Sequence, residues 1–255
     1  LELDNWPWRL RIYVLKRFVI VKDGVPVKFG RKVPKKPIEM LKVLISLGAK
    51  DIPESKISDI LWPEADGDAA YAAFTTTLKR LRQILDVDDA ILLSNGSLTL
   101  NPRYCWVDAW LFEHLANKVA KITALTDNMD YPVDDISEKI INLFDKDFST
   151  KLDDDPYMLF FYDRIRINFI RCIVTLGAYW EKSGEIEKAI ECHTNAIEVE
   201  NLSEILYQKL MVYLHNKGNI NEVTALYKRL THLCNKFLHT GPSPDTTKIY
   251  ENLLD

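Results

Sequence analysis

Asp66 to Asp86 reads DGDAAYAAFTTTLKRLRQILD, and the spacing of its large apolar residues decides how the front of the chain is read. Phe74, Leu78, Leu81 and Leu85 fall at i, i+4, i+7 and i+11, the repeat that turns one helix face toward a core. The other face carries Ala73, Thr76, Lys79, Arg80 and Gln83, small toward the N-terminal end and cationic or amide-bearing further on. Such a face lets a helix lie close to a phosphate backbone and offer hydrogen-bonding groups to base edges. A DNA recognition helix is therefore expected over about 68–86. A solvated surface helix can have the same composition, so the flanking sequence has to decide.

Upstream, Trp6-Pro7-Trp8 reads as an irregular lead-in. Arg9 to Val21 is rich in apolar and β-branched residues, and Asp23-Gly24 supplies a tight-turn signal before Val25-Pro26-Val27-Lys28-Phe29. The pattern predicts a small antiparallel sheet. Arg31-Lys32-Val33-Pro34-Lys35-Lys36-Pro37 then sets four cations and two prolines at the mouth of a helix, with Ile38, Leu41, Leu44 and Ile45 on one face and Gly48 as its stop. Cations at a helix N-terminus stand against its dipole, so helix stability does not explain them. Phosphate contact is one reading and a solvated basic loop the other. A second short helix is framed by Asp51 as cap, Glu54 three residues on, and the stop at Trp62-Pro63, with Ile57, Ile60 and Leu61 inward. After the third helix, Ile91 to Ser94 and Ser97 to Leu100 flank Asn95-Gly96, a dipeptide suited to a two-residue hairpin turn because both residues accept positive φ. Sheet, three helices and hairpin are the element order of a winged helix-turn-helix.

These residues also carry a family resemblance. Leu10 through Phe112 resembles the winged-helix half of the bacterial transcriptional activator domain family, the antibiotic-regulatory-protein type, whose DNA-binding fold is that of OmpR-like response regulators. The matching pieces are Gly30-Arg31-Lys32, Pro37 to Leu41, Leu61-Trp62-Pro63, Thr77 to Leu85 and Trp106 to Glu113. The resemblance implies that the third helix reads the major groove, through Ala73, Thr76, Thr77 and Arg80. Arg31, Lys32, Lys35, Lys36 and Lys79 are expected to hold phosphates, with Gln83 adding an amide. The hairpin tip Ser94-Asn95-Gly96-Ser97 departs from the pattern in having no Lys or Arg. That leaves shallow phosphate contacts, from Asn95 and the hydroxyls, in place of a minor-groove arginine. Arg82, on the flank of the apolar stripe, is open to two readings, a DNA contact or a structural ion-pair partner.

The second half has a different texture. Two helices are expected at about 111–126 and 134–146, followed by a charged break at Asp153-Asp154-Asp155-Pro156. Leu176, Gly177, Trp180, Gly184, Ala189, His193 and Ala196 then take the spacing of a tetratricopeptide repeat. A shift of 34 residues lands on Leu210, Met211, Leu214, Gly218, Val223, Tyr227 and Leu230. A degenerate pair is expected before them, since about three stacked units are needed to bury a continuous core. The segment from Gly241 to Leu254 resembles the end of the same activator family. The predicted fold is mainly α with small β-sheets: a winged helix-turn-helix over 1–108 and a tetratricopeptide-like helical domain over 109–255.

At 255 residues, 47% hydrophobic and 27% charged, the chain has the composition of a globular protein with room for two domains. No apolar run approaches the roughly 20 residues of a membrane span and no signal peptide opens it, so a cytoplasmic location without membrane partners is expected. Opening on Leu1 rather than Met, it reads as a fragment of a longer polypeptide. The net charge of −4 divides into +3 over residues 1–110 and −7 beyond, which suits a nucleic-acid module joined to one that meets something else. Cys105, Cys172, Cys192 and Cys234 contain no C-x-x-C pair, so buried reduced thiols are expected.

Chemistry of other kinds finds no constellation. There is no glycine-rich phosphate loop, and the five histidines stand singly, His193 as an interior imidazole. Asp153 to Asp155 lacks the alternating spacing of a calcium loop. No cofactor, metal or catalytic set is expected. The expected function is sequence-specific binding of duplex DNA by a transcription regulator, with helical repeats that transmit a signal or contact a protein partner or the rest of a parent chain. The resemblance further implies activation by recruiting RNA polymerase, with adjacent copies, possible as a dimer, on DNA. The rival reading is a protein-interaction adaptor or effector target whose winged helix docks protein or binds nucleic acid unspecifically.

Overall fold

The computed structural model describes residues 7–29, 34–122, 132–146, 148 and 156–254. They form two compact units, Leu1–Leu111 with Leu152–Asp163, and Phe112–Lys151 with Arg164–Asp255. The chain returns to the first unit after the second has begun. The basic stretch at Arg31 and Lys32 and the charged break at Asp153 to Asp155 lie outside the described residues.

In the first unit β1 (Leu10–Tyr13) pairs antiparallel with β2 (Val19–Lys22), and β2 with β3 (Val25–Pro26). Arg9 to Val21 thus contains both β1 and β2. Asp23 and Gly24 make the expected turn with φ of 45° and 82°. The sheet is not purely antiparallel: Cys105–Val107 forms a further strand that pairs parallel with β1, giving the order β3-β2-β1 and then this strand. Helix α1 (Lys35–Ser46) buries Ile38, Met40, Leu41, Leu44 and Ile45. A two-residue strand, β4 (Ile52–Pro53), leads into α2 (Glu54–Leu61), capped by Pro53 without a side-chain hydrogen bond. Asp51 is not the cap. It sits at φ 52° and its N–H donates to Thr99 Oγ1 at 2.9 Å, because the preceding strand docks there on the hairpin.

Helix α3 (Gly67–Leu85) follows, then β5 (Ile91–Ser94) and β6 (Ser97–Leu100), joined by Asn95 and Gly96 at φ of 50° and 71°. These two strands and β4 make a three-stranded sheet in the order β4-β6-β5. The Cys105–Val107 strand is β7 in chain order. It is followed directly by Asp108, which is 1% exposed. The Asp108 carboxylate accepts from the N–H groups of Val14 and Leu15 at 2.9 to 3.0 Å and of Ala109 at 2.8 Å. Burial pushes its pKa up to about 6 in spite of these donors.

The second unit takes up α4 (Asp108–Ile122) from Phe112 onward and continues with α5 (Val133–Asn142), both close to their expected positions. It then contains α6 (Leu159–Lys182) from Arg164, α7 (Ile186–Val199), α8 (Glu204–Asn216), α9 (Ile220–Leu238) and α10 (Pro244–Asn252). The 34-residue phase is two helical hairpins, α6-α7 and α8-α9, turned at Gly184 and Gly218 with φ of 77° and 81°. Gly177 is required by a close approach: a Cβ there would lie 2.3 Å from His193 Cε1 and 2.9 Å from the Tyr213 hydroxyl. His193 is fully buried with its Nδ1 2.9 Å from the Ala189 carbonyl oxygen, and burial lowers its pKa to about 4. Ser243 caps α10, and the Glu204 carboxylate accepts from the Ser243 N–H at 3.0 Å, fastening α10 to α8. The four cysteines are buried free thiols.

Candidate nucleic-acid interface

Helix α3 starts where Asp66, in extended conformation, accepts from the Ala69 N–H at 2.8 Å through its side chain. It ends where Asp86 takes the left-handed conformation at φ 47°. Between them Phe74, Leu78, Leu81 and Leu85 are each at most 4% exposed, as their stagger requires. Asp68, Ala72, Thr75, Lys79 and Gln83, at i, i+4, i+7, i+11 and i+15, form the open stripe, with Thr76 and Arg80 on its flank.

Of the residues expected to read bases, Thr76 and Arg80 are exposed and Ala73 is half-buried. Thr77 is 7% exposed and belongs to the core side. The reason is its position three residues after Phe74 and four before Leu81, which puts it inside the apolar stripe. Its side chain is therefore not part of the open stripe. Ala72, Thr75 and the 61% exposed Tyr71 were not expected there, although the same stagger counted from Asp68 finds Ala72 and Thr75.

Arg82 makes a structural contact. Its Nη2 donates to the Ile91 carbonyl oxygen at 2.9 Å, joining the last turn of α3 to β5 by a hydrogen bond rather than an ion pair. Asn95 stands exposed at the tip of the hairpin. Between α3 and the hairpin runs a groove of about 750 Å³ lined by Glu54, Tyr71, Leu78, Lys79, Arg82, Gln83 and Leu93, with Asp86, Asp88 and Asp89 also on its wall. Lys22 forms an ion pair with Asp86, and the Lys22 ammonium holds that carboxyl below its ordinary value.

The cations sort into two kinds. Lys79 and Arg80 are exposed, and among the described residues neither has an ion-pair partner within 4.0 Å. Lys35, with its side chain 85% exposed, reaches Glu39 only at 3.8 Å. Lys36 is committed to the fold: it pairs with Glu39 at 3.1 Å and donates to the Leu61 carbonyl oxygen at 3.1 Å, closing the end of α2. Its ammonium also lies 5.9 Å from the centre of the Trp62 ring. Among the described residues no group of three or more His, Cys, Asp or Glu is placed to hold a metal ion. Among the described residues no helix is long and apolar enough to cross a membrane.

Comparison with known proteins bears on both units. The model of the bacterial transcriptional activator domain matches residues 107–254. The regulatory protein AfsR of Streptomyces griseus is 23% identical over 222 residues, covering 84% of this chain and 22% of AfsR. The structure of Mycobacterium tuberculosis EmbR in complex with a low-affinity phosphopeptide superposes with a TM-score of 0.65 at 17% identity, over 96% of this chain and 65% of EmbR. At that identity the likeness is one of fold: a winged helix followed by helical repeats. The chain spans about a fifth of the length of AfsR and just under two thirds of EmbR.

Proposed function

We propose, from the premise that the chain belongs to the bacterial transcriptional activator domain family, that it binds duplex DNA sequence-specifically and activates transcription. The family is one of transcriptional regulators, and no catalytic role is assigned. The observation that carries the reading is the open face of α3, where Lys79 and Arg80 stand exposed and unpaired among the described residues, beside a hairpin of the kind that flanks a recognition helix. In this reading α3 enters the major groove, and Arg80 and Thr76 face base edges. Lys35 and Lys79 hold phosphates, together with Arg31 and Lys32, while Gln83 and Asn95 add amide contacts. Lys36 contributes less, since Leu61 and Glu39 already occupy its ammonium. The helical repeats meet a protein partner, RNA polymerase or further parts of a parent chain, and adjacent copies or a dimer occupy the DNA.

A second reading is favoured by one feature of the groove. Tyr71, Leu93, Asp86, Asp88 and Asp89 make its lining partly apolar and partly acidic, which suits protein docking better than a phosphate backbone. Salt separates the two. The purified chain is used to select fragments of source genomic DNA, and binding to a selected duplex is then titrated with salt. The DNA reading expects a site-selective complex whose log affinity falls by roughly 0.9 per log unit of salt for each phosphate neutralised. A flat slope and no enriched sequence would favour docking and remove the DNA-binding reading.

A further inference from the structure

We infer that the first half of α3 reads thymine, through the C5-methyl groups that thymines project into the major groove. The inference rests on the DNA-binding reading and narrows it to a class of site. From Gly67 to Leu78 the helix contains no Lys, Arg, Asn or Gln, so its first three turns hold no side chain able to make a bidentate contact with guanine or adenine. The first such group is Lys79. In helix-turn-helix docking it is the N-terminal part of the recognition helix that meets base edges. Besides Asp68 in the first turn and Thr76 on the flank, that part exposes Ala69 and Ala72, both ending in a methyl group, and Thr75.

Thr75 looks polar in sequence but behaves otherwise in the fold. Its Oγ1 donates to the Tyr71 carbonyl oxygen at 2.9 Å, so the hydroxyl proton is committed to the helix backbone, and what this exposed residue adds to the strip is its methyl. Ala72 and Thr75 are successive members of the open stripe, less than one turn apart, and Tyr71 beside them is 61% exposed. The result is an apolar, small-residue strip that a base edge can approach closely. Among the four bases, the apolar group presented in the major groove is the thymine methyl. Arg80, further along the helix, supplies hydrogen bonding where the strip ends. The sites bound by this chain therefore contain thymines over the positions that the first half of α3 covers.

The test uses the intact chain and the selected duplex, in which each thymine is replaced in turn by deoxyuridine, removing the methyl and preserving the base pair. Affinity is expected to fall about three- to fourfold at one or more thymines, the effect of exposing one buried methyl. In Thr75→Ser, which keeps the hydroxyl and loses the methyl, the loss at the thymine facing residue 75 is expected to vanish. Full affinity for the uracil duplexes at every position, with selective binding of the thymine duplex intact, overturns the inference and leaves the DNA-binding reading standing. Absence of selective binding to the thymine duplex itself overturns both.

Discussion

Arg82 Nη2 and the Ile91 carbonyl oxygen lie 2.9 Å apart, so the last turn of α3 is tied directly to the first residue of the hairpin strand β5. The guanidinium is exposed, and solvent competes for it, so the bond stabilises the fold by only about 1 kcal/mol. Its larger effect is to fix the hairpin relative to the helix. Arg82→Ala is expected to lower the urea midpoint slightly and to weaken DNA binding without changing which sequence is preferred. A variant with altered preference would place Arg82 among the base readers.

Arg80, two residues earlier, is expected to behave in the opposite way. It is exposed, and among the described residues it holds no ion pair, so Arg80→Ala should leave thermal unfolding within experimental error of the parent. Loss of a bidentate arginine reduces discrimination by about 1–3 kcal/mol, and a mobility-shift comparison of selected and scrambled duplexes reads this directly. Equal discrimination by the variant and the parent would exclude Arg80 as a reader.

The contrast between Arg80 and Arg82 shows where sequence alone stops. The stagger of Phe74, Leu78, Leu81 and Leu85 was enough to place α3 and its core side, Asn95-Gly96 to place the hairpin, and the 34-residue phase to place two helix pairs. Each is a local pattern. The pairing of Cys105–Val107 with β1 joins segments some 95 residues apart and leaves no mark on local periodicity. Asp51 has the composition of a cap, yet its left-handed backbone and its bond to Thr99 follow from a strand docking on the hairpin. Thr77 is a different case: the stagger already put it inside, while the family resemblance implied, by position, that it faces DNA. The commitment of Thr75 Oγ1 to the Tyr71 carbonyl depends on a rotamer, which residue type does not specify.

Gly177 fixes the spacing of the first helical hairpin. A Cβ at this position would stand 2.3 Å from His193 Cε1, and His193 is buried with its Nδ1 already held at Ala189 and its ring edge-on to Tyr213. A buried ring held on two sides must shift to admit the methyl, so Gly177→Ala is expected to destabilise the second unit by about 1–3 kcal/mol through overpacking, despite the better helix propensity of alanine. Denaturant unfolding followed by circular dichroism measures the shift. A variant as stable as the parent would mean that α6 and α7 separate at little cost.

Glu200 makes stability depend on pH in a direction that can be stated in advance. Its side chain is fully buried and its carboxylate sits 3.1 Å from Arg166 Nε. Burial raises its pKa to about 7, and the Arg166 charge offsets only part of the rise. A folded-state pKa above the unfolded value of 4.5 means that the folded chain holds this proton more tightly. The stability it contributes is fully present below pH 4.5 and is lost as pH rises through about 7. Glu200→Gln does not titrate, so between pH 5 and pH 8 the stability of the variant relative to the parent should improve, on the order of 2 kcal/mol. His193 and Asp108 titrate in both proteins and cancel from the difference. Urea midpoints of the two proteins at the two pH values give the result, and a stability difference independent of pH would show that Glu200 keeps its charge in the folded chain throughout.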